Sequence, residues 1–459
     1  MGRFDDCIVG PATAPGEAGV AVVRLSGPGA LAIASKFFFP KHQGPLKTWQ
    51  LYYGWLKVKD KTLDEALLAW FKAPKSYTAE EVVEIQSHGG GLITKKIIEL
   101  CLEAGARLAR PGEFTMRAFV NGRIDLTQAE AVGDLIAAKT ERALEMVVNQ
   151  LKGRLYEKIQ ALKEEVGWAL ALVNASLDFP EEEVVFSKQG ELLARLNPVK
   201  QKMEKLLETA QKAQILREGY RLVLAGEPNV GKSSLLNGLL EEARAIVTNL
   251  PGTTRDPIAE SLSIEGVPVR LVDTAGLRPT TDIIEAQGIE KTLNEVAKAD
   301  LLLWVIDGSD PHWELALPPL IEAQAQSHQM KRLLVLNKMD LADSSPQVPA
   351  HLKNLEQVEI SALEEEGLAK LKAKIGEFIK GHLGELSEDS MLTNLRQEQA
   401  ARLGLEAIKG ALAALKMGEG EELLAIDLSQ CLTHLGEIVG ETTPDDLLER
   451  IFSNFCIGK

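Results

Sequence analysis

Nine consecutive residues, Gly226-Glu227-Pro228-Asn229-Val230-Gly231-Lys232-Ser233-Ser234, place glycines, one lysine and two hydroxyls at a spacing suited to holding a polyphosphate. They follow an apolar run, Leu222 to Ala225, and precede the helix-like Leu235-Leu236-Asn237-Gly238-Leu239-Leu240. Glycines leave backbone N–H groups free to converge on an anion, and the new helix adds its positive end. In this reading Lys232 reaches the β and γ phosphates and the Ser233 hydroxyl holds Mg²⁺, while Asn229, Val230, Gly231 and Ser234 complete the loop. A buried strand, a glycine turn and a helix must meet there for this chemistry to work.

Further elements follow in order. The segment Thr248-Asn249-Leu250-Pro251-Gly252-Thr253-Thr254 supplies Thr254 as a switch threonine able to close on Mg²⁺ and the γ-phosphate. After the apolar Val269 to Val272 comes Asp273-Thr274-Ala275-Gly276, whose aspartate faces the metal and whose glycine backbone senses the γ-phosphate. Asn337-Lys338-Met339-Asp340 follows another apolar strand, Leu333 to Leu336. The Asp340 carboxylate can accept from the N1–H and 2-amino groups of guanine, a donor pair that adenine lacks. Ser361-Ala362-Leu363 provides a short loop to close over the base. Five elements in this order resemble a translation-factor-like GTPase domain, and GTP is the expected ligand.

The remainder must position this unit. The chain has 459 residues, 45% hydrophobic and 25% charged, enough for two to four domains. Its formal charge of -15 argues against a surface coated uniformly for nucleic acid, although residues 1–122 carry 15 Lys/Arg against 12 Asp/Glu. No apolar run is long enough for a bilayer and Met1 to Asp6 open no signal-peptide core, so a cytoplasmic chain without membrane association is expected. Cys7, Cys101, Cys431 and Cys456 lack paired metal-ligand spacing and read as free thiols of a reducing compartment.

Residues 1–122 alternate short strands (Val20 to Leu25, Leu67 to Phe71, Val82 to Gln86) with a helix, Leu92 to Glu103, as an α+β domain would. His88-Gly89-Gly90-Gly91 looks like a lipase oxyanion loop, but no Gly-x-Ser-x-Gly turn accompanies it. The glycines fit better as a close approach of backbone to a ligand or to the following helix. Arg24, Glu84 and Arg123 stand out as polar residues that suit either a ligand site or a surface ion pair.

Thr127-Gln128-Ala129-Glu130 reads as a capping box opening a long helix, and helical periodicity runs through 123–215, broken near Asn174 to Ser187. Residues 216–380 form the GTPase domain with a mostly parallel sheet. Helical periodicity resumes within 381–459, from Leu395 to Leu415 and Glu421 to Gly440, so one helical domain made from both flanks carries the GTPase as an insertion. Thr443 and Pro444 open a last helix, and the chain ends Cys456-Ile457-Gly458-Lys459. Taken alone, Cys456 is either a half-buried thiol or a reactive one carried on a tail.

The whole pattern resembles the family of tRNA modification GTPases known as MnmE or TrmE, across essentially the full chain. The resemblance is carried by Arg110-Pro111-Gly112-Glu113-Phe114-Thr115, Asn121-Gly122-Arg123, Ala175 to Glu182, Arg217-Glu218-Gly219, the GTPase motifs, and Asp446-Leu447-Leu448 through Lys459. It implies a homodimer joined through a folate-binding N-terminal domain, with 5-formyltetrahydrofolate or a related folate held at Arg24, Glu84, Arg123 and Lys459. It further implies a FAD-containing partner (the MnmG or GidA protein, as a heterotetramer) and modification of C5 of the wobble uridine of certain tRNAs. Arg123 departs from the lysine expected there, keeping the charge with another geometry. The resemblance also assigns Cys456 as the implicated thiol.

Leu277 occupies the place of the water-orienting glutamine of Ras-type enzymes and cannot hydrogen-bond. By resemblance, Asn229, Thr248, Leu250 and Thr253 belong to a K⁺ site whose charge substitutes for an arginine finger, and Glu285 orients the attacking water. Two rival readings are a ribosome-assembly or signalling GTPase with an RNA-binding N-terminal domain, and a folate-dependent transferase with a regulatory nucleotide domain.

Overall fold

The computed structural model describes residues 4–59, 61–178, 189–227, 229–244, 262–273, 297–310, 330–342, 354–384, 391–418, 420–442, 444–453, 455 and 458. The chain divides into two compact units. One comprises Met1–Ala137, Val147–Lys205 and Leu395–Lys459, and the other Ala138–Met146 and Leu206–Asn394.

The first unit opens with strands β1 (Ile8–Pro11) and β2 (Ala18–Ser26), helix α1 (Ala30–Ala34), and strands β3 (Phe38–Pro40), β4 (Leu51–Val58), β5 (Lys61–Phe71) and β6 (Val82–Gly89). Helix α2 (Gly91–Glu103), strand β7 (Arg107–Leu108) and helix α3 (Glu113–Val120) follow. The sheet runs in the order β3-β4-β5-β6-β2-β1-β7, antiparallel except for the β1–β7 pair. Alternation with period two sends Val23 and Leu25 of β2, and Val83 and Ile85 of β6, into a core closed by Ile97 and Cys101 of α2. The three expected strands and the expected helix fall within β2, β5, β6 and α2. At Gly89 the close approach is to the paired strand β2: a Cβ there would lie 2.1 Å from the carbonyl oxygen of Ala18.

Helices α4 (Leu126–Ala137), α5 (Glu141–Leu151), α6 (Arg154–Asp178) and α7 (Gln189–Glu218) come next. The cap of α4 sits two residues earlier than the sequence suggests. Asp125 Oδ1 accepts from the Thr127 and Gln128 amides at 2.7 and 3.2 Å, and Gln128 Oε1 accepts from the Asp125 amide at 3.1 Å. Glu130 is used elsewhere, on Arg396 at 2.8 Å and Gln397 at 2.7 Å. The expected long helix is broken at 138–140 and at Gly153, whose φ of 82° lies in the left-handed region.

The second unit holds strand β8 (Tyr220–Ala225), helix α8 (Lys232–Arg244), strands β9 (Leu262–Ile264), β10 (Val267–Asp273), β11 (Leu301–Asp307), β12 (Lys331–Asn337) and β13 (Glu356–Glu359), and helix α9 (Leu368–Leu383). Its sheet order is β13-β12-β11-β8-β10-β9, parallel throughout except for the β9–β10 hairpin. Leu222–Ala225, Leu301–Ile306 and Leu333–Leu336 are continuous buried runs, as parallel strands covered on both faces require. Leu235 and Leu239 of α8 and Leu371, Ile375 and Ile379 of α9 pack into the core on one face. Strand order reverses beside β8, the topological position at which open α/β sheets bind ligands outside the carboxyl ends of their strands.

Helices α10 (Leu395–Met417), α11 (Glu421–Val439) and α12 (Asp445–Ser453) then return to the first unit, where α10 packs on α11 and α11 on α6. The architecture is the expected one: a mostly parallel α/β sheet unit inserted along the chain in an α-helical domain, preceded by an α+β domain.

Candidate functional sites

Six residues turn the chain from β8 to α8, and two glycines make the turn feasible. Gly226 has φ +156°, and a Cβ there would lie 2.1 Å from the Val305 carbonyl oxygen. Gly231 has φ +93°, and a Cβ there would lie 2.2 Å from Asn337 Nδ2. No side chain fits either place. Asn229 is also left-handed, at φ 67°, a conformation asparagine tolerates. Lys232 is only 5% exposed; its Nζ donates to the carbonyl oxygens of Gly226 at 2.9 Å and Glu227 at 2.6 Å. The ammonium is therefore held over the loop instead of extending into solvent. Ser233 and Ser234 are exposed on the first turn of α8, while Val230 is buried.

Asn337 ties this loop to the base-reading segments. It is buried, donates Nδ2–H to Val230 O at 2.7 Å, and accepts at Oδ1 from the Ala362 amide at 2.9 Å. Beyond it Lys338 takes a left-handed conformation and its Nζ lies 2.7 Å from Asp307 Oδ2. Burial would push the Asp307 carboxyl up, but Lys338 and Ser309 outweigh it and hold the group below its usual range. A short helical turn, Met339–Leu341, then presents Asp340 exposed. The Met339 amide donates to Ile360 O at 3.1 Å, which ties that turn to the segment of Ser361, Ala362 and Leu363. Ser361 is buried and Leu363 is 77% exposed, so the loop offers an apolar side chain to whatever lies against it.

Asp273 is placed as the last residue of β10, opposite Leu224 of β8. Thr248, Asn249, Leu250, Pro251, Gly252, Thr253, Thr254, Thr274, Ala275, Gly276, Leu277 and Glu285 lie outside the described residues, as do Cys456 and Lys459. The other three cysteines are free and buried, and burial pushes each thiol up to about 12, which leaves them unreactive.

In the first unit the register of β2 on β6 sets Arg24 directly opposite Glu84. Arg24 Nη2 and Nε lie 2.8 and 2.9 Å from Glu84 Oε1. Arg123, 99 positions later in the chain, arrives beside them through α3: its guanidinium stands 4.9 Å from the Tyr77 ring centre, and that of Arg24 stands 5.3 Å from the same ring. All three described candidates are thus brought together. Phe114 also faces Arg24, at 5.7 Å, and the edge of its ring approaches Gly10, which is opposite Arg24 in the β1–β2 register. Gly458 fits against the same strand; a Cβ there would lie 1.7 Å from Pro11 O. The penultimate residue is therefore seated one strand position from Gly10.

Tyr77 and the ion network beneath it were not apparent from the sequence. Arg117 is fully buried and pairs with Asp6 at 2.7 Å, Glu113 at 3.0 Å and Glu80 at 3.3 Å, while Arg107 grips Glu113 at 2.6 Å. Burial alone would raise the Glu113 carboxyl, yet hydrogen bonds from Arg107, the Arg110 amide and Arg117 hold it below its usual range. The one available signal was the Arg and Glu spacing around Glu113, which fits many surface helices equally well.

Comparison with known proteins shows which family the chain falls in. The family model for the MnmE helical domain matches residues 126–456, and that for the GTP-binding protein TrmE N-terminus matches residues 7–123. The chain is 46% identical over 461 residues to a tRNA modification GTPase MnmE of Syntrophotalea carbinolica, covering 99% of each protein. It is 43% identical over 458 residues to that of Geobacter sulfurreducens, again covering 99% of each. Against that of Thermotoga petrophila it is 42% identical over 462 residues, covering 99% of this chain and 100% of the relative.

Proposed function

The chain belongs to the MnmE family of tRNA modification GTPases, and from that premise we propose that its GTP hydrolysis drives modification of C5 of the wobble uridine of certain tRNAs. The added group is of the aminomethyl or carboxymethylaminomethyl type, built from a folate one-carbon donor with the FAD-containing MnmG protein as partner. The observation that carries the GTP half of this reading is the double hydrogen bond of Asn337, which makes the phosphate loop and the base-reading loops one rigid part.

Lys232 would exchange its two carbonyl partners for phosphate oxygens, so that its charge moves onto the group whose negative charge grows during transfer. Asp340 reads guanine, and Ala362 and Leu363, tied to the same turn through Asn337 and Ile360, would close over the base. Ser233, exposed at the start of α8, fits one position of a Mg²⁺ site shared with Thr254, where the ion would neutralise β and γ oxygens. Asn229 fits a K⁺ site shared with Thr248, Leu250 and Thr253, and the ion would contribute the positive charge of an arginine finger. Glu285 orients water, because Leu277 has no polar group to do so.

Folate binding rests on Arg24, Glu84 and Arg123, with Lys459 and the thiol Cys456 assigned to the site by resemblance; Gly458 is seated beside β1. The residues suit such a ligand: Arg123 is exposed and forms no ion pair among the described residues. We assign 1–122 to folate binding and dimerisation, 123–215 and 381–459 to the helical domain, and 216–380 to GTP. A homodimer is supported by the exposed face of β4 and β3, where Leu51, Tyr53, Trp55 and Phe39 stand together in register and 39–52% exposed. Among the described residues no helix is long and apolar enough to cross a membrane.

Mass analysis of wobble nucleosides from cells lacking the protein is the decisive experiment. The modified uridines should disappear, and an unchanged nucleoside profile would reject the assignment. Turnover of GTP in K⁺ against Na⁺ at matched ionic strength tests the cation site: rates should be higher in K⁺, and equal rates would remove it.

A further inference from the structure

We propose that Tyr77 is a positioning residue of the N-terminal ligand site, setting the direction of both arginines toward an anionic group of the ligand. The proposal rests on the folate reading for the identity of that ligand and on the following geometry for its mechanism. The Tyr77 ring faces Arg24 at 5.3 Å and Arg123 at 4.9 Å, and its carbonyl oxygen accepts from Arg123 Nη1 at 2.8 Å. One residue therefore touches both cations, and it does so with ring and backbone together.

Two guanidinium groups on one ring repel each other unless something compensates. Glu84 neutralises Arg24. Arg123 is exposed and has no carboxylate partner among the described residues, so the cluster keeps one uncompensated positive charge. An arginine on a flexible stem loses freedom when it is ordered on binding. The face of an aromatic ring attracts the cation and fixes its direction beforehand, so that less freedom remains to be lost.

The ring itself is held from below. Its hydroxyl lies 2.9 Å from Thr115 Oγ1, and Thr115 is fully buried on α3. The adjoining Thr78 is clamped twice, by Asn121 Nδ2 on its carbonyl oxygen at 2.8 Å and by Ser26 Oγ at 2.6 Å from its hydroxyl. The ring also packs against Ile8, Ala109 and Phe114. A leucine at this position retains much of that packing and loses the attraction for the cations. Phenylalanine retains the ring and loses only the bond to Thr115.

The test is calorimetric titration of the full-length protein with 5-formyltetrahydrofolate, for wild type, Tyr77→Phe, Tyr77→Leu, Arg123→Gln and the double variant Tyr77→Leu/Arg123→Gln, with thermal melts alongside. The expected result is binding within about threefold of wild type for Tyr77→Phe and about tenfold weaker for Tyr77→Leu at an unchanged melting temperature. Tyr77→Leu should cost less when Arg123 is already Gln, because part of the ring's effect runs through that cation; a merely structural role would give additive losses. Should the leucine variant melt early, Tyr77→Met replaces it. Wild-type affinity in Tyr77→Leu, or additivity in the double variant, overturns the proposal and leaves the folate reading standing. No binding by the wild type overturns the folate reading, and this proposal with it.

Discussion

The phosphate loop and the arginine cluster are built in opposite ways. The loop is made of consecutive residues whose backbone does the work: two glycines fold it and a neighbouring lysine lies over it. The cluster is made of the side chains of Arg24, Tyr77, Glu84, Phe114 and Arg123 packed beside Gly10, which meet only because strands β1, β2 and β6, helix α3 and the loops holding Tyr77 and Arg123 set them side by side. A site of the first kind depends on local conformation and tolerates change elsewhere. A site of the second kind depends on register, and a slip of one residue in β2 would turn Arg24 to the other face of the sheet.

Four experiments sharpen or break this contrast. The largest effect is expected from Lys232→Ala, which removes the one cationic side chain of the loop. Single-turnover GTP hydrolysis should fall by at least about 10²-fold, and a smaller loss would mean that the ammonium does not follow the phosphates. Next is Asp340→Asn, which exchanges an acceptor for a mixed donor and acceptor. GTP affinity, read by titration with a fluorescent analogue, should drop about 10²-fold while xanthosine triphosphate gains.

Asn337→Ala tests whether backbone geometry needs a side-chain tie. Two buried hydrogen bonds are lost, and the urea midpoint should fall by an amount equivalent to about 2–3 kcal/mol. An unchanged midpoint would show that the loop stands without it.

The smallest effect at neutral pH belongs to the ion network under the arginine cluster. Glu113 has a carboxyl held below its ordinary value of 4.5, so the folded state binds the proton less readily than the unfolded chain. The stability it contributes is fully present above that value and is lost as the pH falls through the lowered folded value. Fluorescence-detected melts should therefore be flat from neutral pH to about pH 5 and decline below it; a decline that survives in Glu113→Gln would place the cause elsewhere.

Several elements were legible because their physical cause is local. Continuous apolar runs announced β8, β11 and β12, and Gly226 and Gly231 announced the turn that no larger residue permits. The cap of α4 was misplaced by two residues because Thr127 and Asp125 both suit an N-terminus, and only the hydrogen bonds of Asp125 distinguish them. Gly89 was legible as a close approach but not as an approach to Ala18, since sequence does not record which strand pairs with which.

By itself the sequence determined the nucleotide, since phosphate and guanine are read by short segments whose order along the chain suffices. It also nominated Arg24, Glu84 and Arg123 through resemblance, without a reason for their meeting. Only the tertiary structure decided that the two arginines share one ring, Tyr77, with Glu84 paired to Arg24, and that Gly458 is seated against Pro11. The reason is that such contacts arise between residues far apart in the chain, where strand register and helix packing fix the distances and no local preference encodes them.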